Sequence, residues 1–129
     1  MKYALQLNSS PCAKRSGLDA LRFAEAAVQA GHEIIRVFFY KEGVYHAFRF
    51  NSPPDDELQL TKRWSELAAL HNIDLVVCIS AAQRRGLLSA DEANLQGKTD
   101  DDLAEGFRIA GLGLWLEASL QADRCLVFG

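Results

Sequence analysis

The side chains best suited to covalent chemistry are three cysteines, Cys12, Cys78 and Cys125. Their number is odd and no two are spaced as C-x-x-C, so neither a disulfide framework nor a structural zinc site is indicated. They read as free thiols in a reducing compartment. Cys78 lies near the end of the apolar run Leu75-Val76-Val77-Cys78-Ile79, and parallel α/β sheets bind and react at the carboxyl ends of their strands. A free thiol with a pKa of about 8.5 is only a few per cent thiolate at neutral pH; a following helix amino terminus, with Arg84 and Arg85 near in sequence, would raise that fraction. The competing reading is a small apolar core residue, and spacing alone favours it.

Cys12 falls in the polar loop after the first apolar run. It is expected near the same sheet edge, where it could meet Cys78, although an exposed loop cysteine without a role is the simpler reading. Cys125, inside Cys-Leu-Val-Phe, reads as core. The loop Asn8 to Gly17 carries hydroxyls and two cations ahead of a helix, as a phosphate cradle would, but lacks the glycine spacing of a P-loop or dinucleotide fingerprint. His32, His46 and His71 are scattered and form no metal-ligand spacing or dyad. Arg84-Arg85 is either a solvated helix face or a contact for an acidic partner or a negative sulfur species.

The elements that must position these residues alternate short β-like runs with helical patterns, the signature of a three-layer α/β domain with a mainly parallel sheet. Strands are expected at Tyr3 to Leu7, Glu33 to Tyr40, Leu75 to Ile79 and Arg124 to Phe128. A helix is expected from Gly17 to Ala30, where Ala20, Phe23, Ala24, Ala27 and Val28 recur at helical spacing and Gly31 supplies the stop. Lys41 to Asn51 reads as an aromatic-bearing connection. Ser52-Pro53-Pro54-Asp55-Asp56 looks like the start of a helix running to about His71, with Leu60, Trp64, Leu67 and Ala68 as its apolar stripe. Short helices at Ser80 to Gly86 and Ser89 to Leu95 and a polar turn at Gly97 to Asp102 follow. Glu105 to Ala122 reads as one long helix whose apolar residues spread around much of its circumference. A helix of that kind must be covered on more than one side, either by a partner subunit or, through Gly111 and Gly113, by close packing on the sheet.

A chain of 129 residues, 49% hydrophobic and 24% charged, fits one domain over residues 1–129 with an ordinary core. The net charge of −3 provides no basic footprint for a phosphate backbone, so no direct contact with nucleic acid is expected. No window approaches the roughly 18 continuous apolar residues of a membrane helix. Nothing at the amino terminus reads as a targeting signal, and a cytoplasmic location is expected.

Taken together, three ordered segments resemble the TusD/DsrE family of sulfur-relay proteins over essentially the full length. They are His32-Glu33 leading into Val37-Phe38-Phe39-Tyr40-Lys41-Glu42-Gly43-Val44-Tyr45-His46-Ala47, then Cys78-Ile79-Ser80-Ala81-Ala82-Gln83-Arg84-Arg85-Gly86, and Gly106-Phe107 through Gly111-Leu112-Gly113 to Glu117-Ala118-Ser119. The family pattern F-F-Y-x-E-G-V-Y is met at Phe38 to Tyr45. The family's sulfur-carrying cysteine falls on Cys78, just ahead of A-A-x-R-R-G at Ala81 to Gly86, and this reverses the weighting in favour of a working thiol.

The resemblance implies a flavodoxin-like three-layer α/β domain with a mainly parallel sheet of about five strands. It implies a sulfurtransferase subunit assembled with two related small subunits into a heterohexamer; exchange of sulfur between thiols requires no metal or redox cofactor. Such a subunit takes sulfur as a persulfide on Cys78 from one carrier protein and passes it to another. The destination it implies is wobble-uridine 2-thiolation of tRNA, or, for DsrE-like relatives, dissimilatory sulfur oxidation. No family motif covers Cys12. Two other classes remain as rivals: a module whose first loop binds a nucleotide or flavin phosphate, and a purely structural subunit. The relay reading requires that the Cys78 sulfur be reachable from solvent and readily ionised.

Overall fold

The computed structural model describes residues 1–13, 15–49, 51, 53, 59–87 and 102–129. Five strands, β1 (Lys2–Leu7), β2 (Glu33–Phe39), β3 (Asp74–Cys78), β4 (Phe107–Ala110) and β5 (Arg124–Phe128), form one sheet in the order β4-β3-β2-β1-β5. Every pairing is parallel. Among the described residues the helices are α1 (Ser16–Gln29), α2 (Leu60–His71), α3 (Ile79–Arg84) and α4 (Gly113–Gln121), with a 3₁₀ helix at Lys41–Ala47.

Chain chirality explains the layers. Strand-to-strand crossovers in a parallel sheet are right-handed, so stepping from β1 to β2 to β3 lays α1 and α2 on one face. The return from β4 across the sheet to β5 must lay α4 on the other. Adjacent β2 residues record this, because successive strand side chains point to opposite faces. Phe38 meets Trp115 of α4 with ring centroids 6.2 Å apart, and Phe39 meets Trp64 of α2 edge-on at 5.7 Å. The central strands are apolar on both sides, with Leu5, Leu7, Val37, Phe38, Phe39, Leu75, Val76 and Val77 fully buried, as a doubly covered parallel sheet requires.

Gly31 stops α1 as expected. It sits at φ 87°, and the Gly31 and His32 amides donate to the Val28 and Ala27 carbonyls, which is the Schellman closure. Gly86, at φ 81°, closes α3 in the same manner, with Gly86 donating to Gln83 and Leu87 to Ala82.

Three expectations change. The long helix from Glu105 to Ala122 is instead β4 followed by α4. Phe107 to Ala110 is a four-residue run that pairs in register with Leu75 to Cys78, and the open edge of β3 outweighs its helical spacing. This also supplies the fifth strand and accounts for part of the apolar surplus. Cys125 is exposed rather than core, because β5 is an edge strand on which Arg124, Cys125 and Val127 are all exposed. The connection after β2 contains the 3₁₀ helix. The helix start expected at Ser52 to Asp56, apart from Pro53, and the short helix at Ser89 to Leu95 lie outside the described residues, as does nearly all of the turn at Gly97 to Asp102; α2 itself begins at Leu60.

Candidate functional site

Cys78 is the last residue of β3 and immediately precedes α3, so the sheet places it at its carboxyl edge as expected. Its neighbour across the ladder is Ala110 of β4. The expectation of a solvent-open sulfur is overturned: Cys78 retains 4% of its accessible surface and belongs to the core cluster with Ala81, Ala82 and Leu87. Cys78 shares a face with Val76, which pairs with Phe38 on the side that Trp115 of α4 covers, since alternate strand residues point the same way; in α3, which follows directly, Ala81 and Ala82 are buried while Ile79, Ser80, Gln83 and Arg84 are exposed.

The cations near Cys78 in sequence divide. Arg84 is exposed. Arg85 is engaged elsewhere, its Nη2 and Nε lying 2.6 and 3.1 Å from Oε1 of Glu42 while its Nη1 donates to the Ala81 carbonyl at 3.0 Å. Glu42 belongs to the Phe38 to Tyr45 motif and Arg85 to the Ala81 to Gly86 motif, so the pair joins the two segments beside Cys78. Nothing in the sequence links the two residues beyond an acid in one motif and a cation in the other.

The placement of Glu42 follows from its neighbours. Lys41 adopts φ 50°, a left-handed turn that is costly for a side chain bearing a Cβ. Gly43 passes so close to the Leu7 carbonyl oxygen that a Cβ has no room, and its amide donates to the Tyr40 carbonyl at 2.8 Å. This tight turn locks the 3₁₀ helix against the end of β1 and points Glu42 toward α3.

The other candidates are placed as follows. Cys12 is exposed and all three cysteines are free. In the first loop Ser9 is turned inward, and Arg15 is paired with Asp19 at 3.2 Å. His46, expected in a connection, is wholly buried. Its Nε2 lies 3.0 Å from the Ser9 carbonyl; a carbonyl only accepts, so Nε2 carries the proton. Nδ1 has no partner among the described residues. Burial lowers the His46 pKa to about 4, against the opposing effect of the Ser9 hydrogen bond, so the ring is neutral at physiological pH. His71 is exposed at the end of α2. His32 Nδ1 lies 3.0 Å from the Met1 amine. No cluster of three metal-ligating side chains occurs among the described residues, and no described helix is long and apolar enough to cross a membrane.

On the opposite face, α4 buries only Ala118. Leu112, Leu116 and Leu120, at helical i, i+4 spacing, expose 54%, 62% and 80% of their surface, so the apolar excess read in this region is real on one stripe. Arg36 anchors the helix from below, donating to the Leu114 carbonyl at 2.8 Å and to Asp74 at 2.7 Å. Asp74 is held below the usual carboxylate range first by the hydrogen bond from Arg108, against the effect of burial, and then by Arg36.

Comparison with known proteins places these features. The protein of Allochromatium vinosum named "Putative sulfurtransferase DsrE" is 47% identical over 129 residues, spanning 100% of this chain and 99% of the relative. A sulfurtransferase TusD homolog of Vibrio parahaemolyticus is 43% identical over 128 residues, 99% of this chain and 98% of the relative. The sulfurtransferase TusD of Salmonella arizonae is 41% identical over 128 residues, 99% of this chain and all of the relative. The crystal structure of the ychN protein from E. coli superposes with a TM-score of 0.79 at 20% identity, covering 99% of each chain, and shares the fold. The model of the DsrE/DsrF-like family matches residues 1–128. With that match, and relatives above 40% identity from end to end, the chain belongs to the DsrE/DsrF-like family.

Proposed function

We propose that this chain is a sulfur-carrier subunit in which Cys78 accepts sulfur as a persulfide and passes it to a cysteine of a partner protein. Sulfurtransferase activity follows from its full-length relatives. The observation that supports Cys78 in particular is its position at the carboxyl end of β3, between motif segments joined by Glu42 and Arg85. The alternatives fare less well, since Cys125 lies on an edge strand and Cys12 in a loop outside any motif.

The chemistry consists of two displacements at sulfur. The Cys78 thiolate attacks the outer sulfur of a donor persulfide, forming Cys78–S–SH and releasing the donor thiolate. An acceptor thiolate then attacks the outer sulfur on Cys78, forming the acceptor persulfide and releasing the Cys78 thiolate. One S–S bond forms and one breaks in each step, so the relay is redox-neutral and calls for no redox cofactor or metal. With Cys78 only 4% exposed, each step requires that its sulfur become accessible to the partner's thiolate.

Related subunits would cover the Leu112, Leu116 and Leu120 stripe, as in the heterohexamer that the family resemblance implies, in the cytoplasm. The destination we propose for the sulfur is 2-thiolation of tRNA wobble uridine, with no direct contact between this subunit and tRNA. The 47% identity to a DsrE protein supports dissimilatory sulfur oxidation as a second reading. Loss of 2-thiouridine on deleting the gene selects the first reading, and unchanged 2-thiouridine selects the second.

The site is tested by incubating the chain and its Cys78→Ser variant with a persulfidated donor and weighing both. The parent should gain the mass of one sulfur and the variant none. A variant that still gains sulfur removes Cys78 as the carrier.

A further inference from the structure

We infer that Tyr40 is a second residue of the sulfur-transfer site, its phenol hydroxyl donating a hydrogen bond to the outer sulfur of a Cys78 persulfide. The inference rests on the proposed role of Cys78 and adds the group that holds the sulfur being passed on.

The register of the sheet carries the placement. β2 and β3 pair Phe38 with Val76 and Phe39 with Val77, so the next rung sets Tyr40 beside Cys78. Tyr40 keeps strand geometry at that rung: its backbone is extended, at φ −127° and ψ 159°, and its amide continues the ladder by donating to the Leu7 carbonyl at 3.0 Å. Alternate strand residues point to one face, and contacts along β2 identify that face. Arg36 donates to the Leu114 carbonyl of α4, Phe38 meets Trp115 of α4, and the Tyr40 ring centroid lies 6.3 Å from that of Phe38. Cys78, two residues after Val76, points the same way from the neighbouring strand, about 4.8 Å to the side.

Cys78 is thus flanked by Tyr40 on β2 and Ala110 on β4. The chain leaves Ala110 on one side of β3, and by Trp115 it is packed on Phe38 on the other side. Residues 111–114 therefore cross β3 on the face that bears Cys78. Ala110, Gly111, Leu112, Gly113 and Leu114 bring no polar side chain to that space, whereas Tyr40 brings a hydroxyl.

A persulfide is the acceptor that matches it. One further S–S bond, about 2 Å long, carries the outer sulfur away from the sheet, toward the height at which a neighbouring phenol ring bears its oxygen. A donor there favours the ionised outer sulfur over its protonated form. It also fixes the sulfur in one orientation and offsets the charge that would repel an arriving acceptor thiolate. The proton stays on the phenol oxygen throughout, so both displacements keep their balance. Lys41 places its ammonium 5.9 Å from the centre of the Tyr40 ring, within range of a cation–π contact, and a cation there strengthens the hydroxyl as a donor.

The test loads the sulfur without a donor protein. In a Cys12→Ser, Cys125→Ser background, both positions being exposed, Cys78 is the sole thiol. Inorganic polysulfide transfers one sulfur atom to its thiolate and leaves a polysulfide one atom shorter, and the gain is read by mass. After desalting, the rate of alkylation of the outer sulfur by iodoacetamide is followed against pH, and its inflexion marks where that sulfur ionises. Tyr40→Phe keeps the ring and removes the hydroxyl. Its inflexion should lie about half to one pH unit higher, which is about three- to tenfold less ionised persulfide on the rising limb. Tyr45→Phe, which removes a hydroxyl from the adjoining 3₁₀ helix, should leave the inflexion in place, and denaturant unfolding of all three unloaded proteins should coincide. A loaded Tyr40→Phe with an unmoved inflexion overturns the inference alone. So does an inflexion that Tyr45→Phe moves equally, or one that moves only with a loss of global stability. A parent that gains no sulfur overturns it together with the carrier role of Cys78, so the two failures are told apart by mass.

Discussion

The ring of His46 fills the space that a side chain at position 17 would need: a Cβ built on Gly17 lies 2.6 Å from Cε1 and 2.9 Å from Nε2 of His46. Gly17 is in the first turn of α1 and His46 in the 3₁₀ helix after β2, so this approach sets the spacing between two elements at the carboxyl edge of the sheet. The ring is held by its bond to Ser9 and by contact with Phe39 at 5.7 Å between centroids, and it cannot swing aside.

Gly17→Ala therefore sets two effects in opposition. Alanine favours the helix by about 1 kcal/mol over glycine, whereas forcing an atom into a packed site costs about 1–3 kcal/mol. At 2.6 Å from a wholly buried ring the second effect prevails. Chemical denaturation should show a net loss of up to about 2 kcal/mol, and a more stable variant would show that the ring yields.

Acid should unfold this protein partly through His46. Its pKa is about 4 in the folded chain against an ordinary histidine value of 6.5, so the unfolded state takes up the proton first as pH falls. The contribution is whole above about pH 6.5 and is lost between about 6.5 and 4, amounting to about 3 kcal/mol. Asp74, whose folded carboxyl lies below its usual range, contributes above its unfolded value and loses this only at lower pH, so the two windows separate. In denaturation curves measured at about pH 7 and pH 4, His46→Gln should lose about 3 kcal/mol less than the parent.

Arg36 ties α4 to the sheet. It is 12% exposed and reaches Asp74, the Leu114 carbonyl and Glu117. Arg36→Met keeps the packing but leaves Asp74 to Arg108 alone, so stability should fall by about 2 kcal/mol, less than for a fully buried pair. Amide exchange should quicken across residues 113–121 before it does so in β1 and β2. Uniform quickening would mean that the helix is not a separate unit.

Leu116→Glu with Leu120→Glu should leave the stability of the isolated chain within about 0.5 kcal/mol, since exposed sites away from special features tolerate change. The same pair should abolish co-elution with partner subunits in size exclusion, because a carboxylate placed in an apolar interface lacks compensation. Co-elution unchanged by both substitutions would place the assembly surface elsewhere.

Much of this architecture is legible in the order of residues. The runs at β1, β2, β3 and β5 announce strands, the spacing in α1 a helix, and Gly31 its stop, because each depends on residues adjacent along the chain. The place of Cys78 at a strand's end is legible for the same reason. Phe107 to Ala110 is not, since a short apolar run satisfies either period and becomes a strand through the open edge of β3. Cys125 has a core-like neighbourhood in sequence, yet β5 takes the sheet's outer position and turns it to solvent. His46 shows no sign in sequence of its burial against Ser9 and Gly17. The Glu42–Arg85 pair likewise joins segments far apart in the chain. Local composition sets what a segment can form, while exposure and pairing depend on what the fold brings against it, and those neighbours are distant in sequence.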